Sequence, residues 1–434
     1  MSEQQKAQHE QMPVPSTTDV VVVGGGIAGL CAAIAAADAG SRVLVLEAHE
    51  PGGRASTVER DGFHLNVGGH ALYRGGYLTA MLAKRGVELP GGIVAGKSIG
   101  VFVDGAIRQV EMTAFGLLRN QVLRRRSRMR MAALFAGLAR IKPEQLVGIP
   151  VGEWLGDEPD DVQRFMEMFV RLSTYTHAPD LFDAGAAVMQ LQLATKGVRY
   201  LDGGWAQLIK ALQREAERAG AIIIGHTEVQ RVHSSHGRVE VVIGEHIVRA
   251  GAAVIASGGP DLATRLTGEQ VRDRDALTGP IAANCLDLAL RNAHNKLVLG
   301  MDQPLYLSAH APLAALAPEG GGLVSLMRYL APGESAGEPA AARTTLRDLA
   351  RLAGIDDDDV LFERALHRMV VTHGAPAAGG GGLRGRPTIA ALGQPGIFVA
   401  GDWVGPSGLL ADASCASGEE AGREASKLSA RMQA

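Results

Sequence analysis

The chain of 434 residues is poor in aromatic side chains, at 4%, holds three cysteines, and contains no run of eighteen apolar residues. Each shortage excludes something. Without a long apolar run no ordinary transmembrane helix is expected, and the longest candidate, 27–37, sits inside a strand–turn–helix unit. Cys31, Cys285 and Cys415 lie far apart in sequence and form no C-x-x-C pair. That speaks against a disulfide framework and a zinc site, and it suits a reducing cytoplasm. A formal net charge of −3 gives no reason to expect a nucleic-acid partner. The first eighteen residues are polar and lack the apolar core of a secretory signal, so a disordered tail is expected over 1–18. The four aspartates 356–359 lack the alternating ligand spacing of a calcium loop, so a solvated helix start is expected there and no metal site. With 46% hydrophobic and 21% charged residues, the remainder is soluble, globular and long enough for two domains.

What is present begins at Asp19. An apolar strand, Val20 to Val23, runs into Gly24-Gly25-Gly26-Ile27-Ala28-Gly29, an alanine-rich helix follows until Gly40, and a second strand, Val43 to Leu46, ends on Glu47. This is a strand–turn–helix–strand unit with an acid in the dinucleotide-binding place. Gly24 permits the tight turn, Gly26 lets a pyrophosphate approach the backbone, with Ala28 in the first turn beside it, and Gly29 lets helix and strand pack closely. The helix N-terminus offers unpaired N–H groups and the positive end of a dipole to the phosphates. Glu47 can accept hydrogen bonds from a ribose and would repel a 2′-phosphate.

Two further segments decide the dinucleotide. Gly52-Gly53-Arg54 and Thr57 follow Glu47-Ala48, and Gly396-Ile-Phe-Val-Ala-Gly-Asp-Trp403 lies near the C-terminus. With Leu201-Asp-Gly-Gly-Trp205 and a strand pair around Val229 and Val232, the chain resembles the flavoprotein family of amine oxidases, phytoene desaturases and protoporphyrinogen oxidases. The resemblance runs through most of the chain and implies noncovalent FAD, since no cysteine occupies the setting used by covalently flavinylated relatives. One departure is that three residues, His49-Glu50-Pro51, replace the family's usual four before the GGR segment. A phosphate contact from an arginine in that stretch must therefore come from elsewhere. A second GxGxxG unit is absent, so no separate nicotinamide site is expected.

The implied fold class is α/β, with a discontinuous Rossmann-type FAD-binding domain (19–75, 198–262 and 390–434) and a mixed α+β substrate domain (76–197 and 263–389). Residues 80–195 read mainly as helices, 206–219 as a helix, and 221–224, 229–232, 239–243 and 252–255 as strands. Residues 281–290 and 297–307 read as strands of a second sheet, 331–342 as a surface loop, and 412–428 as a closing helix. By the resemblance, Gly53, Arg54, Val229 and Gly401 belong to the cofactor site, Asp402 accepts hydrogen bonds from the ribityl hydroxyls, and the helix opening at Leu410-Ala411 faces the flavin N1/O2 edge. Gly68 and Gly69 are expected to approach the flavin ring. His70 either takes part in catalysis or only hydrogen-bonds the backbone. Asn66 stands where the family often has Asp. Lys196, the lysine nearest a family marker, reads as an ordinary loop residue, and Leu409-Leu410 stand near an expected cage aromatic.

The implied activity is removal of two electrons from a carbon centre of a small apolar, isoprenoid-like substrate, with O2 or another acceptor. The alternatives are a flavin amine oxidase releasing peroxide, and a flavin-free prenyl-binding escort on the same fold. Arg119 to Lys142 carries eight basic residues and no acid. Its apolar residues Leu134, Phe135, Leu138 and Ile141 either touch an anionic membrane surface or pack inward. A cytoplasmic protein, with peripheral membrane association through this segment, is the resulting expectation. Arg171 to His177 reads as a capped helix end or a pocket lining.

Overall fold

The computed structural model describes residues 13–94, 98–235 and 237–433; most of the expected tail lies outside them. Thr17 and Thr18, assigned to that tail from sequence, instead begin the first strand, Thr17–Val23. Its apolar run is buried on both faces, as a parallel strand covered by helices requires. It pairs in parallel with Val43–Leu46 on one side (Val20 opposite Val43) and with His246–Ile255 on the other (Val20 opposite Ala252). Ile222–Ile224 extends the sheet beyond the second strand, and Ile397–Val399 joins the C-terminal half of His246–Ile255, both in parallel. Arg238–Ile243 and Arg231–Ser235 complete it as an antiparallel meander. Val229, read as a strand residue, precedes that last strand.

The helix Ile27–Asp38 is buried almost all round, because it is covered by the closing helix, Leu410–Gln433, as well as by the sheet. Alanines permit that close double packing. The cysteines separated in sequence meet here. Cys31 and Cys415 are both buried, with their sulfurs 3.4 Å apart between the two helices.

A second seven-stranded sheet runs in the order Val360–Thr372, Ile281–Leu290, Gly322–Tyr329, Leu305–Ala311, Leu297–Gly300, Ser98–Val103, Ala106–Glu111. Alternation along its strands divides two cores. Cys285, Tyr306 and Met327 face the helices Asp160–Thr174 and Ala184–Ala194, whereas Leu286, Leu307 and Leu326 face the helix Pro339–Leu352. Three expectations need refining. Residues 80–195 are mainly helical, as expected, but not throughout, because Gly91–Ile93 is a strand and 98–111 forms a hairpin. The hairpin turns on Asp104-Gly105, both at positive φ, a strong turn signal that helical periodicity overrode. The expected loop 331–342 ends in a helix that starts at Pro339, where proline suits the first turn. The single strand expected over 297–307 is two, Leu297–Gly300 and Leu305–Ala311, paired across a tight turn.

Candidate active site

A cavity of about 460 Å³ lies where the two sheets meet, and its walls gather the sequence-predicted residues Gly24, Gly26, Ala28, Glu47, Gly53 and Arg54 at one end. Gly69, His70, Gly401, Asp402, Leu410 and Ala411 line it further along. Gly29, Gly68 and Val229 do not line it, and neither does Lys196.

The glycine turn has the geometry its chemistry needs. Gly24 takes φ +110°, which only glycine adopts comfortably. A Cβ on Gly29 would stand 1.8 Å from the Gly24 carbonyl oxygen, so its work is helix–strand packing, away from the cavity. At Gly26 a Cβ would meet only the Gly52 oxygen, at 3.9 Å, and would project into the space a pyrophosphate fills. Gly26 caps the helix without any side-chain partner for the first-turn amides, and no acid lies in that turn. An anion is therefore favoured there. Glu47 accepts the Gly25 N–H at 2.6 Å and the His49 N–H at 3.0 Å, one on each carboxylate oxygen. These bonds fix the carboxylate at the cavity wall while lone pairs remain for ribose hydroxyls.

The distant AGD segment closes onto the GGR segment. Arg54 donates to Asp402 Oδ2 at 2.7 Å and to the Val371 carbonyl at 2.6 Å. Burial pushes the Asp402 carboxyl up, but the charge and hydrogen bond of Arg54 outweigh it and hold the group below the usual carboxylate range. Asp402 Oδ1 is buried with no hydrogen-bond partner among the described residues. An orphaned carboxylate oxygen on a cavity wall fits hydroxyl donors from a ribityl chain.

Two groups here carried no sequence signal. Arg386, 2% exposed, donates to the carbonyls of Asp402, Gly405, Ser407 and Gly408 and so shapes the loop that presents Asp402. Asp412, in the first turn of the closing helix, accepts the Leu78 N–H at 2.9 Å, and burial raises its carboxyl to about 6. It lines the cavity.

His70 is set by its surroundings. Its Nδ1 lies 3.1 Å from the Gly68 carbonyl, and its ring meets Trp205 edge-on with centroids 4.6 Å apart. Burial lowers its pKa to about 4, against the raising effect of nearby carbonyls, so the imidazole is neutral near pH 7. Asn66 serves the same loop from behind, because its Oδ1 accepts from the Trp205 backbone N–H and the Thr57 hydroxyl. The far end of the cavity is apolar and aromatic, with Tyr73, Tyr175, Met327, Met369, Leu409 and Leu410. The segment Arg171–His177 thus does both things open to it. Its helix ends at Thr174, and the C-cap residue Tyr175 lines the pocket.

The sequence profile of a family described as FAD dependent oxidoreductase matches residues 19–421. A phytoene dehydrogenase of Streptomyces griseus is 27% identical over 268 residues, 52% of this chain and 52% of that protein. A hydroxyneurosporene desaturase of Rhodobacter capsulatus is 27% identical over 316 residues, 64% of this chain and 62% of that protein. The match therefore spans less than two thirds of either relative's length. A redesigned putrescine oxidase superposes with a TM-score of 0.74 over 96% of this chain and 99% of its own, at 16% identity, a likeness of fold alone.

Proposed function

The chain belongs to the FAD-dependent oxidoreductase family, its cofactor is FAD, and from that premise we propose that it takes two electrons from a carbon centre of a small, apolar, isoprenoid-like molecule. In this reading the Gly24–Gly26 turn holds the pyrophosphate, Glu47 the adenosine ribose and Asp402 the ribityl chain. When bound, the flavin supplies a two-electron acceptor for a hydride equivalent. The protein's part is to orient and to exclude water. His70, neutral and braced on Trp205, shapes the wall rather than carrying charge. The observation that carries the substrate class is the apolar end of the cavity, where Met327, Met369, Leu409 and Leu410 meet two tyrosine rings. Such a surface binds hydrocarbon through burial.

The amine-oxidase alternative draws on those same two rings. Against it, the Tyr73 hydroxyl is committed to the Ser173 carbonyl at 2.6 Å, and no lysine is among the described residues that line the cavity. The flavin-free escort would have no use for the orphaned Asp402 oxygen or the open face of Gly26. The test is anaerobic bleaching of the flavin bands of the FAD-loaded protein by isoprenoids and by primary amines. Bleaching by isoprenoids alone supports the proposal. Amine-driven bleaching with peroxide on admitting air replaces it with the oxidase, and failure to take up FAD replaces both with the escort.

Membrane contact is proposed on different residues from those first indicated. Leu134, Phe135, Leu138 and Ile141 pack into the substrate-side core. Exposed instead are Phe115, Leu118 and Met129, beside the exposed arginines 119, 124, 125 and 126. Apolar tips within a basic surface fit an anionic bilayer. No helix among the described residues is long and apolar enough to cross a membrane. Sedimentation with phosphatidylglycerol vesicles should carry the wild type down and lose most of the triple variant Phe115→Ser, Leu118→Ser, Met129→Ser. Equal sedimentation of the two would refute the contact.

A further inference from the structure

Seven described residues other than glycine have positive φ. Five are Asp, His or Arg; the two large apolar ones, Tyr175 at φ 55° and Leu410 at φ 54°, both line the cavity. A bulky side chain in the left-handed region is disfavoured, and strain of this kind gathers where function holds it in place. At Tyr175 the position is the C-cap of the helix Asp160–Thr174, whose N–H donates to the Arg171 carbonyl at 2.8 Å. Glycine or asparagine would make that cap with less strain. The helix end therefore does not explain the tyrosine.

Its hydroxyl is also the unusual one in its surroundings. The Tyr73 hydroxyl donates to Ser173, and His70 Nδ1 is engaged by Gly68. Behind the Gly69 backbone, Tyr200, Tyr306, Ser308 and His310 satisfy one another through contacts of 2.9 to 3.4 Å. Tyr329, edge-on to Tyr175 at 6.3 Å, has a buried hydroxyl and does not line the cavity. The Tyr175 hydroxyl has no partner among the described residues, yet it is not sealed away as that of Tyr329 is. Around it stand the phenol rings of Tyr73, Tyr200 and Tyr329 and the thiol of Cys285, with the thioethers of Met327 and Met369 on the same cavity wall.

We propose that Tyr175 is the specificity-determining residue of the cavity, and that its unpaired hydroxyl selects isoprenoid-like substrates bearing one oxygen function, a hydroxyl or carbonyl, over the corresponding hydrocarbons. The inference rests on the apolar-substrate reading above and narrows it. A site that holds a hydrogen-bonding group ready in an apolar wall discriminates against the analogue that leaves that group unpaired.

The test uses the FAD-loaded protein and the probes farnesol and farnesene, which share a carbon skeleton and differ by the hydroxyl. Trp205 lines the cavity, so quenching of intrinsic fluorescence reports binding without turnover. Wild type should bind farnesol about tenfold more tightly than farnesene, one neutral hydrogen bond in an apolar site. Tyr175→Phe should equalise the two by weakening farnesol alone. Because the hydroxyl has no partner among the described residues, the thermal midpoint of Tyr175→Phe should stay the same or rise, whereas removing a structural hydroxyl would lower it. Equal affinities in wild type, a preference kept by Tyr175→Phe, or a midpoint lowered by several degrees would each overturn the assignment while the apolar reading stands. If wild type binds neither probe, the apolar reading itself falls and takes the assignment with it.

Discussion

The ion pair of Arg54 and Asp402 joins two segments 348 residues apart in sequence at the centre of the cofactor cavity, and its removal gives a worked test of the site. Asp402 is 2% exposed and Arg54 37% exposed in their side chains, 2.7 Å apart. Replacing Arg54 with Met leaves a buried carboxylate with only the His373 N–H at 3.3 Å and the Thr372 hydroxyl beside it among the described residues. Breaking a buried pair from the cationic side costs about 3–5 kcal/mol, and the wet side of Arg54 puts the value at about 3 kcal/mol. Asp402→Asn is milder, about 1–2 kcal/mol, because Arg54 keeps the Val371 carbonyl and water. The double variant should then lose less than Arg54→Met alone, about 2 kcal/mol, since its Asn has no charge left to strand. Urea unfolding of the FAD-free protein at pH 7 measures all three, and FAD titration gives the matching loss of affinity. In Arg54→Met the defect should shrink on acidification, because protonating Asp402 removes the stranded charge. Costs that add to within about 0.5 kcal/mol, or an Arg54→Met variant milder than Asp402→Asn, would refute the account.

Two more perturbations follow from distances and titration. Gly29→Ala places a methyl group 1.8 Å from a backbone oxygen that cannot withdraw without opening the glycine turn. The purified variant should be colourless and take up no FAD at concentrations that saturate wild type; a yellow, normally loaded variant would show that the turn is not the cofactor's seat. Asp412, with its folded pKa raised to about 6 from 3.8, binds its proton more tightly folded than unfolded. Its contribution is therefore full below pH 3.8 and lost as pH rises through 6, at most about 3 kcal/mol. Asp412→Asn should be the more stable protein at pH 7 relative to wild type than at pH 4, by a margin of that order in urea titrations. A difference that does not vary with pH would place the carboxylate elsewhere.

What was legible in the sequence was what is local. Glycine turn, helix, second strand and Glu47 occupy one stretch of about thirty residues, and each part constrains the next, so the Rossmann unit could be placed before any contact was known. The hairpin 98–111 was equally local and was missed, because the Asp104-Gly105 turn lies between strands of only six residues in a region of helical spacing. The meeting of Cys31 with Cys415 had no local trace, since nothing in either helix sequence specifies the other as its partner. Arg386 belongs to the same kind. A lone arginine among glycines and prolines looks exposed, and only the folded loop of carbonyls around it shows a reason for burial.

The aromatic content illustrates how an average misleads about a site. At 4% aromatic, the sequence gives little sign of an aromatic pocket, and Leu409-Leu410 stand near the place of an expected cage aromatic. Yet five of its six tyrosines, 73, 175, 200, 306 and 329, are buried, and two of these line the cavity while the others stand close behind it. They come from strand ends, a helix cap and two strands of the second sheet, so no window of sequence contains them together. Composition limits how much surface the whole molecule can cover with rings, which says little about a cavity that needs only a few. The substrate end of the site is thus set by tertiary convergence, and the strained backbone of Tyr175, invisible in sequence, marks where that convergence acts on a ligand.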